Sequence, residues 1–514
     1  MLTKVYSASI QGIDAQPVTI ETDITRGCAY NVSGLADAAV RESYDRIVPA
    51  IYHSGLTYPK QRITINLAPA DIKKEGSGFD LPITIGILTA GQLIDVPDLG
   101  DYMMAGELSL DGSLLPVKGA LPMAVMARAK GFRRLIVPEG NVTEAAVVNK
   151  LEVFGARNLR DVVSIMTGKG DIQPTRIDTR AIFAQSANRF DCDFSEVKGQ
   201  ESVKRALEVA CAGGHNLLMV GPPGAGKSMM AKRIPSILPP LGMAEALETT
   251  KIHSVAGKLR RGDMLMTERP FRSPHHTVSP IALVGGGVNP MPGEISLAHN
   301  GVLFLDEFPE FPRTVLEVLR QPIEDRVITV SRAKYTVQYP ANFMLVASMN
   351  PCPCGYYGHP TRPCTCAPGA VARYMNRISG PLLDRIDIHV EIEPVAFDAM
   401  ASDQPAESSE AIRQRVVEAR LLQAERFKDE PGIYCNAQMN SRLIHRHAWP
   451  DAEGMARLKS RMEKLDMSAR AFDRILRVAR TIADLDHSPA VLPRHLAEAI
   501  SYRSLDRSTY GSTF

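Results

Sequence analysis

The sequence has few cysteines, few aromatic residues and almost no excess charge. Its 514 residues include one tryptophan and eight cysteines, and the formal net charge is +2. A nearly neutral chain offers no overall basic surface for nucleic acid, so any such contact depends on local basic loops or on their repetition in an oligomer. Four of the cysteines are scattered along the chain, which excludes the disulfide framework of a small secreted protein.

Long apolar runs are also missing. The longest, near residues 82–90, is too short and too polar to cross a bilayer, and the first ten residues do not resemble a signal peptide. Hydrophobic residues make up 45% and charged residues 23% of the chain, as in ordinary globular proteins. We therefore expect a cytoplasmic protein of two or three domains that has no membrane partner.

Changes in composition along the chain predict an α/β multidomain architecture. Residues 1–170 show a mixed α+β pattern, and a polar linker follows at 171–195. Over 196–395, apolar strands alternate with helical segments and Gly/Pro-rich loops, a pattern typical of a largely parallel sheet. The remainder, 396–514, is predominantly helical in pattern.

The strongest motif is a phosphate-binding loop at 221–228, which reads G-P-P-G-A-G-K-S. It follows an apolar strand and precedes a helix, the context that separates a true P-loop from a chance match. Backbone N–H groups of such a loop surround phosphates, Lys227 reaches the β- and γ-phosphates, and Ser228 is a ligand of Mg²⁺. We expect all eight residues to bind ATP: Gly221, Pro222, Pro223, Gly224, Ala225, Gly226, Lys227 and Ser228.

Two further apolar strands end in polar residues. One ends in Asp306 and Glu307, and an unpaired carboxylate at the end of a buried strand is costly unless it has a function. This is the Walker B pattern, in which Asp306 holds Mg²⁺ and Glu307 orients and deprotonates the attacking water. The strand over 341–350 ends in Asn350, which we expect to sense the γ-phosphate or the lytic water.

Two arginines are candidates for contacts with the γ-phosphate. Arg385, in the sequence L-L-D-R-I-D, is either an arginine finger inserted into a neighbouring subunit or a member of an intramolecular ion pair. The first reading requires a head-to-tail ring. Arg470, in S-A-R, is the candidate for a second sensor, with Arg474 as the alternative.

Four cysteines lie in one loop, 350–368, as two C-x-C pairs nine residues apart. This spacing suits a tetrahedral Zn²⁺ site, and the alternatives are an iron–sulfur cluster or metal-free thiols. The loop is rich in glycine and proline, so we expect a structural metal to stabilise it. The predicted ligands are Cys352, Cys354, Cys364 and Cys366.

A hairpin is predicted at 325–340, between the Walker B strand and the strand that ends in Asn350. Its basic residues are Arg326, Arg332 and Lys334. Repeated around a ring, they would line a pore and bind phosphates of DNA without sequence preference. The alternative is a solvated hairpin with ordinary surface charge.

The loop 275–287 is a second candidate for a pore element. Its three consecutive glycines allow close backbone approach, although a flexible lid is an equally good interpretation. His275 and His276 begin this loop, and neither has a metal-ligand partner at a suitable spacing in the sequence.

Together these motifs resemble those of an AAA+ ATPase. The segment 269–287 resembles the magnesium-chelatase ATPase subunit, and the whole chain is similar to the ComM/YifB family of bacterial magnesium-chelatase-like proteins. The resemblance implies a P-loop AAA+ core, a helical C-terminal lid and a homo-hexameric ring that uses ATP and Mg²⁺. It further implies a motor that drives branch migration of recombining DNA during natural transformation, with single-stranded or branched DNA and recombination proteins as partners.

The resemblance also implies an N-terminal domain similar to that of Lon protease, with a ribosomal S5 domain 2-like fold. A Lon-type site needs a serine activated by a lysine. Here Gly78 occupies the nucleophile position and Ser77 is one residue away, while Leu121 stands where the lysine belongs and Lys118 lies three residues earlier. We therefore expect this domain to be inactive as a protease and to build the ring or guide DNA.

A function of another class stays open. A chelatase-type AAA+ subunit would use the same ATPase motifs to remodel a protein partner. The Lon-like domain and the cysteine loop, neither of which belongs to that subunit, favour the DNA motor.

Overall fold

The computed structural model describes residues 2–179, 190, 192–259, 264–287, 290–332, 335–395, 406–464 and 467–503. It is a mixed α/β structure with a parallel sheet, as the sequence predicts. No helix within these ranges is long and apolar enough to span a membrane. Two compact units are present, the first built from Met1–Ser186, Gly242–Thr267 and Pro290–Pro292, the second from Ala187–Leu241, Glu268–Asn289 and Gly293–Phe514.

Strands and helices alternate through most of the chain. The strands are β1 (Leu2–Gln11), β2 (Asp14–Thr25), β3 (Ala29–Ser33), β4 (Arg62–Ala68), β5 (Tyr102–Met104), β6 (Glu107–Leu108), β7 (Leu114–Leu115), β8 (Arg134–Pro138), β9 (Glu152–Ala156), β10 (Leu217–Val220), β11 (Phe271–Arg272), β12 (Gly285–Gly286), β13 (Met291–Pro292), β14 (Val302–Leu305), β15 (Val327–Arg332), β16 (Tyr335–Pro340), β17 (Met344–Met349) and β18 (Ile388–Glu391).

The helices of the first part of the chain are α1 (Ala38–Arg41), α2 (Ser43–His53), α3 (Asp80–Ala90), α4 (Ala120–Ala129), α5 (Val142–Ala145), α6 (Leu159–Thr167), α7 (Glu201–Gly213), α8 (Lys227–Ile237) and α9 (Met243–Ala256). Those that follow are α10 (Pro280–Val284), α11 (Glu294–Leu297), α12 (Arg313–Glu317), α13 (Arg320–Asp325), α14 (Ala370–Met375), α15 (Gly380–Leu383), α16 (Ser409–Arg426), α17 (Ser441–His447), α18 (Ala452–Lys464), α19 (Ala469–Leu485) and α20 (Pro493–Ser501).

The first unit is organised around a seven-stranded sheet in the order β3-β4-β2-β1-β5-β8-β9. Strands β1 and β2 form a long antiparallel pair, and β5, β8 and β9 run parallel to one another. Helix α3 contains the longest apolar run of the sequence, and nearly all of its side chains are buried. A helix that is apolar on every face must be covered on every face, so this run forms the core of the unit rather than a surface helix.

Helix α9 also belongs to the first unit, although it lies between β10 and β14 in the sequence. It packs near α4, where the backbone N–H of Gly119 donates to the carbonyl oxygen of Ser254 at 3.3 Å. The ammonium group of Lys251 also lies 3.0 Å from a carboxylate oxygen of Asp14. A segment within the predicted ATPase range 196–395 is therefore part of the N-terminal unit.

The second unit contains a five-stranded parallel sheet in the order β11-β14-β17-β10-β18. Every residue of β10, β14 and β17 is buried, which accounts for their continuous apolar sequences. The register pairs Leu305 with Ala347 and Val220 with Met349. The three central strands therefore end at the same edge of the sheet, and the polar residues that follow them are brought together there.

The helical C-terminal part packs on this sheet through a shared core. Leu207 of α7, Val416 of α16 and Leu476 of α19 belong to one buried cluster that also contains side chains of β10 and β17. This packing joins the helices after residue 406 to the α/β part of the second unit.

A buried polar network accompanies that core. The Asp387 carboxylate accepts a hydrogen bond from the backbone N–H of Asn216 at 3.0 Å and one from the Arg474 guanidinium at 2.6 Å. His215 Nδ1 lies 3.7 Å from the same carboxylate. Although burial alone would raise the pKa of Asp387, the charge of Arg474 and the nearby His215 hold it well below its ordinary range.

We expect Asp387→Asn to destabilise the second unit by about 3–5 kcal/mol, because Arg474 would stay buried without its counter-ion. Since the folded-state pKa is depressed, this contribution is present above the carboxylate's unfolded pKa and is lost as the pH falls below it. Urea unfolding at several pH values measures both effects. Asp429→Asn, at an exposed carboxylate, is the control, and equal stability of the two variants would contradict this account.

Candidate nucleotide site and cysteine cluster

The P-loop connects β10 to α8, as the sequence predicts. Gly224 and Gly226 have φ values of +80° and +86°, in the left-handed region that favours glycine. Gly221 packs so closely on the residue after β18 that an added Cβ would lie 2.6 Å from the carbonyl oxygen of that residue, Ile392. The loop therefore depends on its glycines both for its conformation and for its packing, and α8 begins directly after it, at Lys227.

The Lys227 ammonium lies within the loop rather than in solvent. It donates to the carbonyl oxygens of Gly221 and Pro222 at 2.7 and 2.9 Å and to Asn350 Oδ1 at 3.1 Å. Burial lowers the pKa of Lys227, and the charge of Asp306 partly opposes that shift. All three acceptors are neutral, so phosphate oxygens would be stronger partners for the same donors.

Asp306 follows β14 and is held by hydroxyl groups from two other elements. Ser228 Oγ donates to one carboxylate oxygen at 2.6 Å, and Ser348 Oγ on β17 donates to the other. The backbone N–H of Glu307 lies 3.0 Å from that second oxygen. A carboxylate beside a hydroxyl, both at the edge of a P-loop, is the oxygen ligand set that Mg²⁺ prefers. The residues present therefore fit Mg²⁺ and the phosphates of ATP.

Glu307 adopts a left-handed backbone conformation with a φ of +53°, and its side chain is 59% exposed. Its carboxylate is 3.5 Å from Nδ1 of His276. The centroid of the His276 ring also lies 4.0 Å from that of His275, with the two rings tilted by 34°, and His276 meets the Phe311 ring edge to face. Glu307 is thus accessible to water and to substrate, and an imidazole lies beside it.

The three candidate arginines have different surroundings. Arg385 forms an ion pair with Glu324 at 2.9 Å and donates to the Pro381 carbonyl oxygen at 2.6 Å, and its side chain is 14% exposed. This is the intramolecular pair that the sequence left open as an alternative. Arg474 forms an ion pair with the buried Asp387. Arg470, by contrast, is 64% exposed and lies 3.9 Å from the Asp384 carboxylate.

The predicted hairpin consists of β15 and β16, which pair in antiparallel register from Val327 with Pro340 to Arg332 with Tyr335. Residues 333 and 334 lie outside the described residues, and so Lys334 does too. Arg326 lies at the base, where it ends α13 and is half-buried, and burial lowers its pKa. Of the predicted basic residues that are described, Arg326 therefore lies at the base of the hairpin and Arg332 at the far end of β15.

The displaced Lon-type residues of the first unit have other partners. The Ser77 hydroxyl donates to the carboxylate of Glu107, and Gly78 lies against the Val117 side chain. The Lys118 stem runs beside Gly257. No Ser77–Lys118 hydrogen bond occurs among the residues that the structure describes, so it contains no serine–lysine pair of the kind that proteolysis needs.

The cysteine loop brings its four sulfurs together. All four Sγ atoms lie within 4.8 Å of one another, and the three closest pairs are separated by 3.3, 3.5 and 3.8 Å. Ligands around a tetrahedral Zn²⁺ with Zn–S bonds of about 2.3 Å lie about 3.8 Å apart, so the cluster could hold such an ion with little rearrangement. Its members are Cys352, Cys354, Cys364 and Cys366.

The ionisation of these thiols is consistent with a cation site. Burial raises the pKa of the Cys354 thiol, but backbone N–H donors from Tyr356 and Thr365 outweigh it and lower the pKa to about 5. Burial and the neighbouring sulfurs raise the pKa of Cys366 to about 12. Four adjacent sulfurs cannot all be thiolates unless a cation lies among them.

Comparisons with known proteins agree with this arrangement. Profiles described as magnesium chelatase subunit ChlI match residues 20–141 and 193–400, and a profile of its C-terminal region matches residues 406–503. Over 98% of both chains, the sequence is 44% identical to the uncharacterized protein YifB of Escherichia coli and 41% identical to the competence protein ComM of Haemophilus influenzae. The chain belongs to the ComM/YifB family of magnesium-chelatase-like AAA+ proteins.

The resemblance seen in the sequence motifs is thereby confirmed for the family. A shorter stretch of 106 residues, 21% of this chain and 16% of its relative, is 26% identical to the archaeal Lon protease of Methanocaldococcus jannaschii. Such a stretch is similar to part of a protease, whereas the ComM/YifB relatives match nearly from end to end.

Two residues of this ComM/YifB site were not identified from the sequence. Ser348 lies on β17 two positions before Asn350, which follows the strand, and strand alternation continued to residue 350 places both on the same face. No local pattern links His276 to Glu307, which lies thirty-one positions further along the sequence.

We expect Glu307→Gln to lower the rate of ATP turnover at least about 100-fold while nucleotide binding is retained, because only the proton acceptor is removed. Steady-state phosphate release and binding of a fluorescent ATP analogue measure the two properties. Glu310→Gln is the matched control, since that carboxylate pairs with Arg377 at 2.8 Å instead. Normal turnover by the Glu307 variant would refute its assignment.

Proposed function

We propose that this protein is an ATP-driven hexameric motor that moves branched or single-stranded DNA during recombination, as in natural transformation. The observation that carries the proposal is made at the edge of the sheet where β10, β14 and β17 end. There Lys227 contacts Asn350, and Ser228 contacts Asp306. The 41% identity to the competence protein ComM over 98% of both chains supports the proposal of a role in transformation. The partners that we propose are further copies of this chain, DNA and recombination proteins, in the cytoplasm.

The chain's own residues account for ATP hydrolysis. Lys227 exchanges its carbonyl acceptors for the β- and γ-phosphate oxygens, and Ser228 and Asp306 supply oxygen ligands to the Mg²⁺ that accompanies ATP. Glu307, exposed beside the P-loop edge, accepts a proton from the attacking water. Asn350, already bonded to Lys227, positions that water or the γ-phosphate. Each role follows from a contact or an exposure described above.

We propose that the site is completed by a neighbouring subunit. Within one chain Arg385 is bonded to Glu324 and Pro381, and it is not bonded to the P-loop, Asp306 or Asn350 among the described residues. A γ-phosphate in the next subunit would offer Arg385 a stronger bidentate partner than Glu324. Arg470 lies beside Asp384, the residue next to Arg385, so both arginines belong to the same region of the surface. A head-to-tail ring would bring this region to the next site.

The hairpin is the proposed DNA contact. Its two paired strands separate Arg332, at the end of β15, from Arg326, which is half-buried at the base. We assign phosphate contacts to Arg332 and Lys334, and Arg326 contributes from the base of the hairpin. Sequence-independent phosphate contacts are what a translocating motor requires.

The first unit is proposed to be a Lon-like domain that has lost proteolysis. Its Ser77 hydroxyl is bonded to Glu107 instead of a lysine. We assign to this domain, with its predicted S5 domain 2-like fold, the assembly of the ring or the guidance of DNA. The helices after residue 406 are the proposed lid.

We also propose that the four-cysteine cluster binds Zn²⁺ as a structural metal. The support is the separation of the sulfurs and the backbone N–H of Tyr357, which donates to Cys352 Sγ at 3.3 Å. Such N–H contacts orient thiolate ligands in metal sites.

A second candidate function is a chelatase-type subunit that remodels a protein partner. The observation in its favour is that profiles described as subunit ChlI match most of the chain. The two functions differ in one measurable respect, because only a DNA motor is expected to hydrolyse ATP faster when DNA is present.

We expect a fluorescent four-way DNA junction to be processed by the protein with ATP and to stimulate ATP turnover. The double variant Arg332→Ala with Lys334→Ala should retain basal turnover and lose most of the stimulation, because the phosphate contacts are removed. Lys459→Ala, at an exposed lysine of α18, is the control. No junction processing and no stimulation by any DNA would refute the motor and favour the chelatase-type function.

A further inference from the structure

The cysteine loop touches the P-loop. Gly355, buried and with a φ of +85°, packs directly on Pro223: a Cβ added to Gly355 would lie 2.6 Å from Cδ and 2.9 Å from Cγ of the proline ring. Gly355 also donates its backbone N–H to the carbonyl oxygen of Cys352 at 3.0 Å. The turn that carries two of the four cysteines is therefore in van der Waals contact with the phosphate-binding loop.

Both ends of the cysteine loop are attached near Asn350. Cys352 follows Asn350 by two residues and is fully buried. On the return side, α14 carries Tyr374: burial raises the pKa of its hydroxyl to about 12, and the adjacent backbone of Asn350 partly opposes that shift. Since Asn350 Oδ1 accepts from Lys227, the loop contacts the nucleotide site at two points, one on the P-loop and one at the sensor residue.

The loop has few means of holding this position without the sulfurs. Gly358 also has a positive φ, +73°, and a Cβ added there would meet nothing within 4 Å. The residues between the two C-x-C pairs are mostly exposed or half-buried, and contribute little to a core. A cross-link between Cys352, Cys354 and the second pair is what would fix the turn against Pro223.

We propose that Zn²⁺ bound by the four cysteines holds Gly355 against Pro223 and Asn350 against Lys227, so that occupancy of the metal site sets the affinity of the P-loop for nucleotide. The inference rests on the proposed ATP site. It gives the cysteine cluster a role in nucleotide binding through positioning, without contact between the metal and the phosphates.

The first arm of the test measures zinc and nucleotide together. Purified protein should contain one equivalent of zinc per chain, and the zinc-selective chelator TPEN should release it. We expect the Kd for a fluorescent ATP analogue to rise about tenfold on release, as for loss of residues that orient a binding site, and to recover when zinc is restored. The variant Cys364→Ser with Cys366→Ser should behave like the stripped protein, and Cys28→Ser, at an exposed cysteine, should behave like the parent.

The second arm separates the contact from the metal. Gly355→Ala and Gly358→Ala impose a side chain at similar positive φ values, but only the first meets Pro223. We expect both variants to retain zinc and only Gly355→Ala to bind nucleotide more weakly. Circular dichroism and the thermal midpoint establish that each variant is folded.

The outcomes distinguish this inference from the proposed function. If zinc-loaded parent protein fails to bind the ATP analogue, the proposed ATPase is wrong. If it binds, and the affinity is unchanged by zinc removal or equal in the two glycine variants, the proposed effect of zinc on the P-loop is wrong. The proposed ATPase function then still stands. Less than half an equivalent of zinc in fresh protein would overturn the metal assignment itself.

Discussion

The parallel register of β10, β14 and β17 is the constraint on which the rest of the second unit depends. It ends the three strands at one edge, and there the Asp306 carboxylate is bonded to Ser228 from the P-loop and to Ser348 from β17. A shift of one residue in any of these strands would turn its polar residue to the opposite face. The burial of all three strands fixes the register, because their side chains fill the core on both sides of the sheet.

That edge supplies only part of a hydrolytic site. Lys227, Asp306, Glu307 and Asn350 can bind nucleotide and accept a proton, but within the described residues of one chain no arginine contacts this group. Arg385 is instead bonded to Glu324. A phosphoryl-transfer site that has its P-loop lysine but no arginine at the γ-phosphate is slow, and an added arginine accelerates such sites by orders of magnitude. We infer that assembly into a ring supplies that arginine, so that hydrolysis is coupled to contact between subunits.

Local sequence patterns were enough to predict the helices and strands. They did not predict the contacts between residues far apart in the sequence. The hairpin predicted at 325–340 is present as β15 and β16, because two neighbouring runs of alternating apolar and polar residues have few alternatives. The P-loop and Walker B motifs predicted the position of the nucleotide site in a similar way, since each motif directly follows an apolar strand in the sequence. In contrast, the pairing of Arg385 with Glu324 and of His276 with Glu307 joins residues far apart in sequence. Such pairs depend on how elements pack, which one sequence does not encode in any local pattern.

The most direct test of the composite site is a subunit-mixing experiment. Glu307→Gln and Arg385→Ala are each expected to abolish ATP turnover, one by removing the proton acceptor and the other by removing the cation. If Arg385 acts in the neighbouring subunit, random mixing leaves about a quarter of the sites with both groups intact, and turnover should reappear in the mixture. A mixture as inactive as its two components, in rings shown by mass to contain both variants, would contradict the account.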